Sequence, residues 1–154
     1  MTTVMESIGQ LESVFGDVVR DVAGVDYQPL LQGIQQEIAE GEAAAFDGER
    51  EPGGPSWTPL ATSTIKRKRS SRILFESGAL QASLVALGEA GNISTTSSRE
   101  LLFGSDVPYV TLLDNGTSRM PARPPVGVSE ETLDKACNQI ADETVRQLTA
   151  SGSE

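Results

Sequence analysis

The first periodic pattern of the chain lies in residues 3–23. Apolar residues recur there at alternating intervals of four and three, with polar residues between them: Val4, Ile8, Leu11, Phe15, Val18 and Val22. This spacing predicts an amphipathic helix. It also matches a heptad seam, so two interpretations stand: packing on the domain's own core, and a coiled coil.

A second helix is predicted from about Tyr27 to Phe46, after a break at Gly24. Asp26 is placed to cap its start. Gly33 and Gly41 weaken it by roughly 1 kcal/mol each relative to alanine. Its predicted inner face consists of Leu30, Leu31, Ile34, Ile38, Ala45 and Phe46.

The pattern stops in residues 47–56, where proline and glycine predict a flexible loop. Trp57 follows directly, and its large apolar area predicts either an anchor that holds the loop to the core or an exposed stacking surface. Residues 58–69 are predicted to hold a short helix that starts near Pro59. A basic cluster ends that helix and extends to Arg72: Lys66, Arg67, Lys68 and Arg69.

Residues 73–116 predict the β structure of the chain. We expect a helical turn near Gly78 that leads into a strand from about Ser83. After a turn at Gly91-Asn92, residues 93–96 and 100–103 are predicted to pair as short antiparallel strands. Residues 108–115 then predict one more short helix, ended by Asn115-Gly116, with three residues on one face: Tyr109, Leu112 and Leu113.

The C-terminal part combines an extended arm and a helix. Pro121, Pro124 and Pro125 exclude helix and central strand from residues 117–128. Ser129 is a good N-cap for a helix over residues 129–148. The apolar stripe of that helix is predicted to be Leu133, Ala136, Cys137, Ile140, Thr144 and Leu148, which makes Cys137 a small buried apolar residue rather than a reactive thiol.

These elements predict one α+β domain over residues 1–154, with a small antiparallel sheet packed against N-terminal and C-terminal helices. Its parts are a helical segment (1–46), a loop (47–56), an α+β core with the proline-rich arm (57–128) and the last helix (129–148). Only 38% of the residues are apolar and 5% aromatic. We therefore expect neighbouring subunits to cover part of the apolar surface.

The charge is unevenly distributed, and the net value is -10. Residues 1–51 contain eleven acidic and two basic residues, whereas residues 52–80 contain five basic residues and one acidic residue. The acidic part of one copy can pair with the basic segment of another, or both can be solvated. The overall field favours neither nucleic acid nor an anionic membrane.

The residue types exclude most catalytic chemistry. The chain has no histidine and one cysteine, so imidazole bases, catalytic triads and structural zinc sites lack their ligands. Glycine-rich phosphate loops are also absent. We expect no enzyme, no cofactor and no metal, although two carboxylates that meet in space remain an alternative. Without a recognisable signal peptide or membrane span, we expect assembly in a cytoplasm.

Three stretches, taken in order, resemble the phage virion morphogenesis family, which includes tail completion proteins. The first contains Asp47-Gly48, Trp57-Thr58-Pro59-Leu60, Thr64 and Lys66. The second contains Ile73-Leu74, Ser77-Gly78, Leu80 and Ser83. The third contains Gly104, Pro108-Tyr109, Asn115-Gly116 and Pro121-Ala122-Arg123-Pro124. Val110, Leu113, Asp114 and Pro125 differ from the residues that are usual at these positions in the family. These differences bear on which subgroup the chain resembles more than on the resemblance to the family.

The resemblance implies a structural virion subunit that forms a ring, six-fold or alternatively twelve-fold, in the neck or tail. Its partners are then its own copies, connector-side neck proteins and tail tube proteins. The expected contact residues are Trp57, Leu60, Lys66, Arg67, Lys68, Arg69, Tyr109, Arg123 and Pro124. Arg123 is expected to pair with a carboxylate.

Two alternatives accompany this interpretation. One is an accessory factor or chaperone that leaves the particle. The other is an adaptor of the connector, whose Lys66 and Lys68 face the lumen of the ring and touch the phosphates of exiting DNA.

Overall fold

The computed structural model describes residues 22–151, so the predicted helix over residues 3–23 lies almost wholly outside the described part of the chain. The described elements confirm an α+β fold. They are helix α1 (Gln28–Asp47), helix α2 (Thr62–Lys68), helix α3 (Ala79–Val85), strands β1 (Asn92–Thr96) and β2 (Leu101–Ser105), helix α4 (Val110–Asn115) and helix α5 (Glu130–Ser151).

Helix α1 is the predicted second helix and runs through the middle of the fold. Asp26 accepts a hydrogen bond from the backbone N–H of Gln28 at 2.9 Å, which satisfies a donor at the helix start. One face of the helix is buried along its whole length, and this face serves two apolar clusters.

The first cluster surrounds the C-terminal end of α1 and the second its N-terminal half. Buried members of the first are Phe46, Trp57, Ile73, Leu80 and Leu84. The second consists of Leu31, Ile34 and Ile38, covered in part by Ala136 and Ile140 of α5. Phe103 of β2 packs against both clusters, so the small sheet joins them.

The two strands pair antiparallel, as the sequence predicts. Asn92 lies opposite Ser105 and Thr96 opposite Leu101. Gly91, with φ of 84°, provides the turn that leads into β1. Two hydrogen bonds fix α3 to the sheet, because the Ser83 hydroxyl meets the Ser105 hydroxyl at 2.7 Å and the Asn92 amide donates to the Ser83 carbonyl at 2.8 Å.

The predicted strand from Ser83 is wrong, because this segment forms helix α3. Gly78 starts the helix in the left-handed conformation, with φ of 84°. Leu80, Ser83 and Leu84 then lie on one buried helical face, and the Ser83 hydroxyl donates to the Leu80 carbonyl at 2.7 Å. An apolar run of this length fits a short buried helix as well as a strand, and packing against α1 decides between them.

Two short helices also differ from the prediction. Helix α2 begins at Thr62 rather than near Pro59. Of the three residues predicted on one face of α4, Leu113 packs against the core, whereas Tyr109 is 43% and Leu112 54% exposed. A helix of six residues is too short to bury three large side chains on one narrow contact.

Helix α5 starts as predicted, because the Ser129 hydroxyl accepts the N–H of Thr132 at 3.1 Å. The predicted burial of Cys137 is wrong, since the thiol is exposed. The helix faces α1 through Ala136 and Ile140, and Thr144 bonds the Tyr27 hydroxyl at 2.7 Å. Cys137 lies about 100° around the helix from Ala136, outside this contact.

Candidate protein-protein interface

Trp57 fixes the end of the 48–56 loop inside the subunit. The side chain is 3% exposed, and its ring meets that of Phe46 edge-on, with 5.5 Å between centroids and 72° between planes. Its indole N–H donates to the carbonyl of Pro124 at 2.9 Å. Trp57 therefore anchors both its own loop and the proline-rich arm to the core. Of the two interpretations that the sequence left for Trp57, the structure supports the anchor and contradicts the exposed stacking surface.

Arg123 ties the same arm to the residues that follow Trp57. Its Nε donates to the Thr58 carbonyl at 2.7 Å and its Nη2 to the Pro59 carbonyl at 3.1 Å. The backbone N–H of Arg123 donates to the Leu113 carbonyl at 2.7 Å. Two backbone carbonyls thus take the place of the predicted carboxylate partner, which corrects that expectation. Burial lowers the pKa of the Arg123 guanidinium from its ordinary value.

Glu42 holds the far end of the arm. Its side chain is fully buried on α1, and Oε1 accepts the backbone N–H of Gly127 at 3.0 Å. The other carboxylate oxygen, Oε2, has no hydrogen-bond partner among the described residues. Desolvation by this burial raises the pKa of Glu42 to about 7, and the Gly127 hydrogen bond opposes the shift.

The arm therefore lies along its own subunit, held at three points. Pro125 between those points is fully buried. The 48–56 loop is also folded back on itself: Arg50 pairs with Ser56 in an antiparallel bridge, and the Arg50 guanidinium donates to the Gly54 carbonyl at 2.8 Å. Mobility of these two segments, and any reach to a neighbour, stays a prediction.

The basic cluster is at the C-terminal end of α2, where cations also complement the helix dipole. Lys66, Arg67 and Arg69 are exposed. Lys68 is half-buried and donates to the carbonyl of Arg72 at 3.0 Å. Arg72 in turn lies over the ring of Phe75, with 4.2 Å from its guanidinium carbon to the ring centroid. Lys66, Arg67 and Arg69 thus form the exposed cationic edge at the end of α2, at positions around the helix rather than on one face.

A cleft of about 270 Å³ opens beside this edge. Its apolar lining includes Leu60, Leu74, Phe75, Leu80, Leu113 and Met120. Tyr109 and Lys68 stand at the same cleft, together with Glu76 and Arg123. Its volume is slightly below the range of small-molecule sites and fits a few apolar side chains.

The structure brings four of the predicted contact residues to this cleft: Leu60, Lys68, Tyr109 and Arg123. Lys66, Arg67 and Arg69 lie on the neighbouring edge. Trp57 and Pro124 lie behind the cleft and support it from inside. Arg123 is 5% exposed and Trp57 3%, so both shape the surface while their side chains stay within the subunit. Contact of any of these residues with a partner stays a prediction.

Sequence reasoning did not predict Glu42 as a site residue, nor five apolar lining residues: Leu74, Phe75, Leu80, Leu113 and Met120. Glu42 did leave a signal, because it lies four residues after Ile38 and three before Ala45 on a face that is apolar apart from Gln35. The lining residues come from three separate segments, and no local pattern brings such segments together.

Among residues 22–151 no group of three or more potential ligands is arranged to hold a metal ion. The same part of the chain contains no helix with the length and apolar character that a membrane span needs.

The profile of the phage virion morphogenesis family matches residues 7–145 of this chain. No curated protein and no solved structure matches it.

Proposed function

Because the chain belongs to the phage virion morphogenesis family, its role is in the assembly of the phage particle, and we propose that it is a neck or tail-completion subunit. It joins head and tail through protein-protein contacts, as a ring of copies between connector-side neck proteins and the tail tube. A tail-terminator subunit is the nearest variant of this role.

The observation that carries the proposal is the half-open apolar cleft beside an exposed cationic edge. Leu60 and Leu113 offer apolar contact area, and Tyr109 stands 43% exposed at the mouth. Interfaces combine an apolar, aromatic centre with a polar rim in this way. Together with the family, this surface supports a binding role over catalysis.

The arm and loop support the same role by keeping the surface in shape. Trp57, Arg123 and Glu42 hold an extended, proline-containing segment at fixed points. A prefolded surface loses less conformational entropy when it binds than a flexible one. A subunit built this way presents its cleft ready for a partner.

Electron microscopy of a lysate tests the proposal, with phage that carries an early stop codon in this gene. Filled heads lying apart from finished tails are expected for a completion subunit. Heads with tails of irregular length would assign the terminator variant instead. Complete and infectious particles would overturn both, and would leave an accessory role outside the particle.

Recovery of the subunit in purified wild-type particles separates the structural role from that accessory role. A structural subunit is expected at a fixed copy number that matches its ring. A chaperone that leaves the particle would be absent after purification, although the stop-codon phenotype could be the same.

The exposed edge of the basic cluster favours one second function, contact with DNA that passes through the ring. Lys66, Arg67 and Arg69 are free to meet phosphates, whereas Lys68 is occupied by the Arg72 carbonyl. Filter binding of the purified ring to duplex DNA tests this contact. We expect weak binding that falls steeply as the salt concentration rises. Binding that does not change with salt concentration would reject the contact.

A further inference from the structure

The cleft beside α2 is an apolar site with a positive margin. Its inner wall is made by apolar side chains from the 60–80 segment, α4 and Met120. Exposed Lys66, Arg67 and Arg69 lie on the adjoining edge, and Glu76 is the single carboxylate of the lining. Such a site is complementary to an amphipathic helix with acidic flanks, whose apolar residues enter the groove at steps of three and four.

The chain itself contains a segment of that chemistry in residues 3–21. Its apolar residues follow the required spacing, with Leu11 and Phe15 at the centre. Its charged residues are Glu6, Glu12, Asp17, Asp21 and Arg20, a net charge of -3. We propose that this N-terminal segment of one copy docks as a helix in the cleft of a second copy. The inference rests on the proposed ring and names the contact that builds it.

Chain geometry assigns the contact of Phe15 with the cleft to a second copy rather than to the same one. Residues 22–27 are fixed at the β1–β2 turn: Arg99 donates to the Val22 carbonyl at 2.7 Å and Tyr27 to the Ser98 carbonyl at 3.0 Å. The cleft adjoins the cluster of Phe46, about 27 Å farther along α1 by helical rise. Phe15 is seven residues before Val22, so a helix carries it only about 10 Å from that point.

A contact in which one surface meets a different surface of the next copy is heterologous, and repeated copies close into a ring when the rotation allows. The docked segment also covers apolar surface at the cleft, where Tyr109 is 43% exposed. Such covering by a neighbouring copy is what we expected from the low apolar content of the chain.

Disulfide trapping with full-length protein tests the contact. Phe15→Cys and Tyr109→Cys are made separately, each with Cys137→Ser, because the native thiol is exposed. The two purified proteins are mixed under mild oxidation and the products identified by mass. We expect the mixed Phe15–Tyr109 disulfide to exceed a control pair with Val145→Cys by roughly tenfold, because docking raises the local thiol concentration. Val145 is 60% exposed on α5, away from the cleft.

Two outcomes would overturn the proposal. One is a yield no higher than that of the Val145 control. The other is an intrachain disulfide in a third protein that combines Phe15→Cys, Tyr109→Cys and Cys137→Ser, which would assign the segment to its own cleft. Failure here beside a positive stop-codon experiment rejects the contact and leaves the proposed function intact.

Exchange of charges provides a second measurement that does not depend on cysteine. The double variant Lys66→Glu, Arg67→Glu is expected to show a lower fraction of assembled copies, measured by light scattering. When it is mixed with a second double variant, Glu12→Lys, Asp17→Lys, the fraction of assembled copies is expected to be restored. These basic residues are exposed, so their replacement leaves the core intact. Loss without restoration in the mixture would also reject the proposed pairing.

Discussion

Glu42 is the residue whose environment departs furthest from what its side chain prefers in water. It is fully buried on α1, with one oxygen bonded to Gly127 and the other without a partner among the described residues. Burial removes the water that would solvate the ionised carboxylate, so the neutral acid is favoured. The attachment of the proline-rich arm to α1 through Glu42 and Gly127 is therefore expected to depend on pH.

The first prediction follows from this pKa. Burial raises it from 4.5 to about 7, so the folded state binds the proton more tightly than the unfolded state. The resulting stability is fully present below about pH 4.5 and is lost as pH rises through about 7, a change on the order of 3 kcal/mol. Urea unfolding between pH 5 and 8 is expected to show this loss in the wild type and not in Glu42→Gln.

Glu40→Gln is the matched control, because Glu40 lies on the exposed side of the same helix. It is expected to keep the pH dependence of the wild type. A Glu42→Gln protein whose free energy of unfolding changes with pH as much as that of the wild type would contradict the assignment.

Cys137 gives the second prediction at this scale. Because the thiol is exposed on α5, it is expected to react fully with a thiol reagent in the folded, purified protein. Absorbance of the released chromophore before and after addition of denaturant measures the accessible fraction. A thiol that reacts only in denaturant would show that it is buried after all, as the sequence suggested.

At the scale of elements, two glycines in different backbone conformations allow a direct comparison, one inside a helix and one at a helix end. Gly33 is inside α1, and a Cβ there would meet nothing within 4 Å. Gly116 ends α4 with φ of 69° and ψ of -176°, a conformation nearly restricted to glycine. A Cβ at Gly116 would lie 2.7 Å from the backbone nitrogen of Ala122.

The third prediction is that the same substitution acts in opposite directions at these sites. Gly33→Ala is expected to stabilise the protein by about 0.5–1 kcal/mol, because alanine loses less backbone entropy in a helix. Gly116→Ala is expected to destabilise it by about 3 kcal/mol through strain and the backbone clash. Midpoints of urea unfolding measure both, and a stable Gly116→Ala protein would refute the described turn.

At the scale of the whole molecule, the parts of the 47–56 loop and the 117–128 arm outside the fixed points at Trp57, Arg123 and Gly127 are the segments expected to become fully ordered on assembly. Arg50 and Arg119 provide exposed trypsin sites in them. The fourth prediction is that trypsin cuts the free subunit after Arg50 and Arg119, and that assembly into particles slows both cuts.

Mass spectrometry of timed digests follows each cut separately. Subunits released from particles serve as the control and are expected to regain the rates of the free protein. Equal rates at Arg50 and Arg119 in the free subunit and in the particle would contradict late ordering.

Local patterns of the sequence determined those helices and strands that depend on residues close together in the chain. The periods of apolar residues placed α1 and α5, the alternating segments and the Gly91 turn placed the two paired strands, and Ser129 marked a helix start. These features depend on neighbours a few residues apart, which is the range that periodicity and capping report. The ordered motifs also identified the family that the profile match confirms.

Only the tertiary structure decided which apolar faces meet. Packing on α1 made the segment from Ala79 a helix, turned Cys137 outward and left Tyr109 and Leu112 exposed. The partners that hold the arm are 64 to 85 residues apart in the chain: Trp57 with Pro124, Arg123 with Thr58 and Pro59, and Glu42 with Gly127. Periodicity identifies the face of an element that avoids water, but the residue opposite that face is set by how distant segments pack together.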